Sequence, residues 1–364
     1  MDKRLITLGM AATLVVQATF AASAGAARAA PSVTPRGVDD PTSTLVDALQ
    51  SRSSRVNAVE RGATALPTWT GSFRSAGTTY GYTMVGSDPS AGSTTTKVRV
   101  RILPLRLTFD GGITLDGTDV VDEIEHSPIF KDAQYRSGHT QYGDAMQRAS
   151  FWDDVQTKSP RYHVLLSNPD VLPTMSLQVP KDSGSAVETP NGPAGTLKTQ
   201  YVFSLAPRLA DFYDPSALLI IVAKDVTGDS FLGFHFAFTP PGRSIPMTLI
   251  WTGYFTPNVL VGPPESDAYV LSHEVAEWIN DPYLTNVVPP WRDPAGGECF
   301  NVLLEVGDPV EFLPNPSFTV RTNGRTYHVT DVAGISWFAH DVPSRELGGA
   351  YSYAGNLETF STLC

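Results

Sequence analysis

Basic residues are scarce in one long stretch of this chain. Between Ser244 and Val320 only Arg292 is basic, against ten acids: Glu265, Asp267, Glu274, Glu277, Asp281, Asp293, Glu298, Glu305, Asp308 and Glu311. The whole sequence holds 26 Lys and Arg against 37 Asp and Glu, a formal net charge of −11, which excludes the electrostatic footprint of a nucleic-acid binder. Long apolar runs are also missing beyond the N-terminus. The longest, Ala217–Ala223, suits a buried strand rather than a bilayer-spanning helix. There is no internal repeat, no Gly-x-Ser-x-Gly and no P-loop, so a nucleophilic serine enzyme has no positive support. Cysteine is limited to Cys299 and Cys364.

What is present begins with an export signal. Lys3 and Arg4 form a short positive region, Leu5 through Phe20 an apolar core, and the Ala-rich run from Ala21 to Ala30 supplies small residues for cleavage. We expect residues 1–30 to be a signal peptide and the mature protein to be secreted and extracellular, with no membrane association after cleavage. Its loss removes Lys3, Arg4 and Arg28 against Asp2, taking the formal charge from −11 to −13. In an exported chain the even pair of cysteines reads as a disulfide, tying the C-terminus to the acidic stretch.

Residues 31–67 are rich in Ser, Thr, Ala and Arg and read as a linker or pro-segment. The remainder, 68–364, reads as a single α+β domain with a mixed or mostly antiparallel sheet. Strands are expected at Thr79–Val85, Lys97–Phe109, Thr199–Leu205, Ala217–Ala223, Phe231–Phe238 and Met247–Phe255. Helices are expected at Asp119–Phe130, Gln141–Trp152 and, most clearly, Ser266–Asp281.

On that last helix, Ala268, Tyr269, Leu271, Val275, Ala276, Trp278 and Ile279 form a broad apolar arc that should pack on the sheet. The other side carries His273, Glu277, Asn280, Asp281 and, at its margin, Glu274, before Pro282 ends the helix. His273 and Glu277 stand at i and i+4, so an imidazole nitrogen and a carboxylate oxygen reach one cation. This is the logic of the His-Glu-x-x-His zinc helix with Glu277 in place of the second histidine. Glu274 then takes the place of the general base on a metal-bound water. Zinc accepts carboxylate oxygen, and other divalent cations accept it too. A third ligand is expected from Glu305 or Asp308, with a slight preference for Glu305. His235, among Phe231, Phe234, Phe236 and Phe238, reads first as a packed strand histidine and second as a neighbour of the site.

The run His273-Glu274-Val275-Ala276-Glu277, followed by Asp281-Pro282, Trp291 and Glu305-Val306-Gly307-Asp308, resembles a poorly characterised group of exported bacterial proteins with a His-Glu-x-x-Glu module. More distantly it is similar to the plant EXORDIUM, or phosphate-induced, proteins. The bacterial likeness continues upstream through Thr140-Gln141-Tyr142-Gly143-Asp144, Gln147-Arg148, Phe151-Trp152 and Gly233-Phe234-His235, and so covers most of the mature chain. In the plant proteins a cysteine tends to follow the Gly-Asp closely, whereas here Pro309 follows Asp308 and the nearby cysteine is Cys299. The resemblance implies a metallopeptidase-like helix. Together these features lead us to expect a secreted zinc-dependent hydrolase, a metallopeptidase first, acting on an extracellular peptide or protein. The alternative is a non-enzymatic extracellular binding or signalling protein with a structural ion or no metal.

Overall fold

A computed structural model describes residues 64–364, apart from 296, 298, 300, 301 and 312. The expected signal peptide and all of the expected linker up to residue 63 lie outside the described residues. Leu66 is already buried, and the carbonyl of Pro67 accepts from the amide of Gly86, so the last residues of that segment run directly into the first hairpin.

The architecture is α+β around an eight-stranded mixed sheet. Its path runs Gly233–Phe238, Met247–Tyr254, Ala217–Lys224, Thr95–Thr108 and Thr114–Asp116. Ala217–Lys224 lies parallel to both neighbours, while the pairs at either end of this path are antiparallel. Three short strands, His163–Leu166, Asp170–Val171 and Met175–Gln178, pair in parallel with successive stretches of Thr95–Thr108. Ala217–Ala223 is buried throughout, as a central strand covered on both faces must be.

Strand alternation sorts side chains to the two faces. Val98, Val100, Ile102, Leu218, Ile220, Val222 and Ile250 join the core that holds the helix Tyr269–Asn280. Leu103, Leu105, Leu107, Leu219, Ile221, Leu249 and Trp251 face the other way, into a second core. The helix Tyr269–Asn280, the site helix, packs on the strands Met247–Tyr254, Gly233–Phe238 and Arg325–Thr330 and on the helix Tyr142–Ser150. Its close approach depends on glycine: a Cβ at Gly143 would lie 2.5 Å from Ile279 Cδ1, and one at Gly233 2.5 Å from Val270 Cγ1.

Three sequence expectations need correction. Thr199–Leu205 is not a strand but begins a helix, Thr199–Ser204, followed by Ala206–Leu209. Val202, Leu205 and Leu209 fall at helical spacing and bury together in the second core, and the amide of Thr199 donates to Asp229 Oδ1 at 2.9 Å. The helix expected at Asp119–Phe130 shrinks to a 3₁₀ turn at Gly117–Val120 and a helix at Val121–Glu125, since Pro128 disfavours helical backbone at Ser127. Gln141–Trp152 is helical from Tyr142 to Ser150, and a separate helix starts at Trp152. The structure also adds a strand, Thr68–Ser75, paired with Thr78–Val85 through a tight turn in which Ala76 and Gly77 both have positive φ.

The segment Thr140–Asp144 works as an internal clamp some way along the fold. Asp144 accepts from the Thr140 hydroxyl at 2.5 Å and the Val164 amide at 2.6 Å, and its Oδ2 lies 2.8 Å from His163 Nδ1. Tyr142 donates to the carbonyl of Thr330 at 2.7 Å. Cys299 and Cys364 are disulfide-bonded, with Cα atoms 5.7 Å apart. The tail is further held by the Arg292 amide on Thr362 O and the Cys364 amide on Pro290 O, beside the buried Trp291.

Candidate metal centre

All twelve residues of the site helix are buried, so its polar stripe faces the protein interior rather than solvent. Burying charged groups is costly unless something pairs them, and what lies opposite the stripe is therefore informative. Three elements meet it. The strand Gly233–Phe238 contributes His235, because alternation sends Phe234, Phe236 and Phe238 into the second core and turns His235 to the opposite face. The segment Leu304–Asp308 contributes Glu305 and Asp308. It is tied down by the Leu304 amide on Asn286 O at 3.0 Å and the Ala333 amide on Val306 O at 2.8 Å. The single helical turn Asp308–Glu311 contributes Glu311, at i+3 from Asp308 and so on the same side.

His273 Nε2 stands 3.1 Å from Glu277 Oε1 and 3.4 Å from Asp308 Oδ1. His235 Nδ1 stands 3.5 Å from Glu277 Oε2 and 3.6 Å from Glu274 Oε2, and its Nε2 is 3.8 Å from Glu305 Oε2. His235 Nε2 also lies 3.1 Å from the carbonyl of Asp281, which fixes the ring so that Nδ1 is directed at the carboxylates. His273, Glu274, Glu277, Glu305, Asp308 and His235 are each at most 2% exposed.

The decisive feature is how few of these atoms are satisfied. Among the described residues, neither ring nitrogen of His273 has a hydrogen-bond partner, and neither do the carboxylate oxygens of Glu305, Asp308 and Glu311. The His273–Glu277 and His273–Asp308 approaches are close in distance but not aligned as hydrogen bonds, so these buried polar atoms lack their usual partners. Among the described residues, three triads have potential ligand atoms within 4.8 Å of one another: His235, Glu277 and Glu305; His273, Glu274 and Glu277; and His273, Asp308 and Glu311. Imidazole with carboxylate is a donor set for a divalent transition metal.

Two glycines shape the cluster. A Cβ on Gly307 would lie 2.6 Å from His273 Cε1 and Nδ1, so only glycine lets this segment lie flat against the ring. The Gly307 amide donates to Glu277 Oε1 at 3.2 Å. A Cβ on Gly233 would lie 2.8 Å from Glu274 Oε1. Asp281 shares the polar stripe but serves the backbone instead, its carboxylate accepting from the amides of Thr285 and Asn286 and closing the turn after the helix.

No protein-family model, curated protein or solved structure matches this chain. The cluster's chemistry is therefore carried by its own geometry. Burial drives the carboxylates toward their neutral forms. Helped by the Glu277 charge, it lifts Asp308 to about 7 and pushes Glu305 well above the usual glutamate range. Beside Asp308 it does the same to Glu311. Glu274 is raised by the same burial. Glu277 goes the other way, because His273 and His235 outweigh burial and hold it at about 2. Burial opposes charge on the histidines as well. Glu305 beside His235 and Glu277 beside His273 overcome it, so both rings sit well above the usual histidine range. Without a cation, the cluster is an ionised Glu277 between two rings, with its other acids forced toward protonation.

The structure thus brings together every residue the sequence singled out: His273, Glu274, Glu277, Glu305 and Asp308. Asp308 is the one against His273, and Glu305 the one against His235. Two further members were not among the expected ligands. His235, expected first as a packed strand histidine, was legible from strand alternation, since a lone histidine between outward phenylalanines must face the other core. Glu311 was legible only from its i+3 spacing after Asp308.

Proposed function

We propose that this protein is a secreted metalloprotein whose buried centre holds a divalent cation, with zinc the first choice, and that it uses the cation to hydrolyse an extracellular peptide. The observation that carries the reading is the set of buried, unpartnered donor atoms on His273, Glu305, Asp308 and Glu311. Leaving such groups unpaired costs roughly 1–3 kcal/mol each, more where they are charged, and a cation removes that cost for the groups that coordinate it. His273 and Glu277 would hold it with Asp308, the acid that stands against His273. When bound, the cation would polarise a water. Glu274, from the turn of helix that carries His273, would take that water's proton. The likeness to the exported His-Glu-x-x-Glu proteins points to the same assignment, and the disulfide is compatible with an extracellular protein.

A second reading is favoured by one observation: His273, Glu277, Glu305 and Asp308 are at most 2% exposed, which suits a closed structural ion in a binding or signalling protein. Metal titration of chelator-treated mature protein, with wild type beside Glu274→Gln, separates the two. The hydrolase reading expects both proteins to bind zinc, and peptide cleavage in wild type alone. Zinc binding with no cleavage of a broad peptide library by wild type selects the structural ion. Absence of binding by wild type removes both.

A further inference from the structure

One cation leaves this cluster half satisfied. His235, Glu277 and Glu305 form one group of converging donors, and His273, Asp308 and Glu311 form another that shares no residue with the first. An ion in the first would still leave four unpartnered oxygens on Asp308 and Glu311, and one in the second would leave both oxygens of Glu305 unpartnered. Glu277 lies between the groups with one oxygen turned to each ring: Oε1 is 3.1 Å from His273 Nε2, and Oε2 is 3.5 Å from His235 Nδ1. A carboxylate so placed is suited to two ions at once, as in sites where paired metals sit about 3.5–4 Å apart.

Charge points the same way. Glu274, Glu277, Glu305, Asp308 and Glu311 are five buried carboxylates, and the opposite charges that act on them come from the two histidines. Carboxylates coordinate in their ionised form, so with both donor groups occupied two divalent cations offset four of the five carboxylate charges. Interiors strongly disfavour uncompensated charge.

We propose that the centre is dinuclear, with one divalent cation held by His235, Glu305 and Glu277, a second held by His273, Asp308 and Glu311, and the Glu277 carboxylate shared between them. This deepens the metal-site reading and rests on it. His235 and Glu311 are then metal ligands, and the second ion accounts for acids that a single zinc site does not need.

The test is metal content per chain by native mass spectrometry, after loading chelator-treated protein with zinc and removing unbound metal. Two ions per chain are expected for wild type and one for each of Glu311→Gln and Glu305→Gln. Manganese loading gives a readout that does not depend on how the variants fold: two Mn²⁺ sharing a carboxylate in wild type give an exchange-coupled paramagnetic resonance signal. One ion per wild-type chain, or two with only isolated six-line Mn²⁺ spectra, overturns the dinuclear centre and leaves the single-ion reading standing. No ion in wild type removes the underlying metal reading itself.

Discussion

Replacing Gly307 by alanine tests the cluster through packing alone, without removing a ligand. The added methyl would stand 2.6 Å from His273 Cε1 and Nδ1 and 2.9 Å from Cγ, against about 3.4 Å for an ordinary contact. The segment and the ring must therefore part by about 0.8 Å to recover a normal van der Waals separation. His273 has no room to yield, since it sits in the middle of a fully buried helix. Overpacking of this kind costs about 1–3 kcal/mol. In a domain this large each kcal/mol is worth roughly 2–4 °C in melting temperature, so Gly307→Ala should melt about 2–12 °C lower. The same 0.8 Å exceeds the roughly 0.2 Å tolerance of metal–ligand distances, and zinc affinity should fall about 10- to 100-fold or more. Calorimetric melting and zinc competition against a chromogenic chelator give both numbers. Gly81→Ala is the control, because the nearest atom to its methyl is Gly71 O at 3.9 Å. It should stay within about 0.5 kcal/mol of wild type. If Gly307→Ala melts and binds zinc as wild type does, the close contact between the Glu305–Asp308 segment and His273 is wrong.

Chelation of the metal-loaded protein should lower its melting temperature by roughly 10 °C. A cation present at a thousandfold its dissociation constant contributes about 4 kcal/mol, and a melt unchanged by chelator would contradict this. Cys364→Ser opens a 65-residue loop and should cost on the order of 4 kcal/mol in denaturant unfolding under oxidising conditions, with no difference from wild type once both are reduced. Asp331 gives a pH signature away from the cluster. Burial raises its pKa even though it accepts from the amides of Val332 and Ala354 and from Asn356 Nδ2. Its folded value lies above its unfolded one, so the folded state binds the extra proton between them, and stability should fall as pH rises through that window. Asp331→Asn should flatten this slope, and a slope unchanged in the variant would assign it to other groups.

Much of the fold was legible because its signals are local. Ala217–Ala223 is too apolar to be anything but a central strand, and the alternation of Val98, Val100 and Ile102 marks the long strand beside it. The site helix showed its apolar arc and its His-Glu-x-x-Glu spacing together. Thr199–Leu205 misled because its β-branched and aromatic residues favour a strand in isolation, while the helical alignment of Val202 with Leu205 and Leu209 appears only when the window extends past the assumed end. The helix ligands and the downstream acids were readable from residue type. That the polar stripe is sealed inside the protein was not, because its cover comes from His235, Glu305 and Glu311 on separate elements that only the tertiary fold assembles. The same limit hid the division of labour in which Asp308 meets His273 and Glu305 meets His235.

Anomalous diffraction at the zinc edge, from crystals of the mature protein grown with zinc, tests the central claim most directly. A metal-binding cluster should give a peak within about 2.0–2.2 Å of a ring nitrogen of His273 or of His235 Nδ1, bounded by carboxylate oxygens of Glu277 and of Asp308 or Glu305. A map with no anomalous peak in the cluster, and with ordinary waters hydrogen-bonded to those oxygens instead, would contradict it.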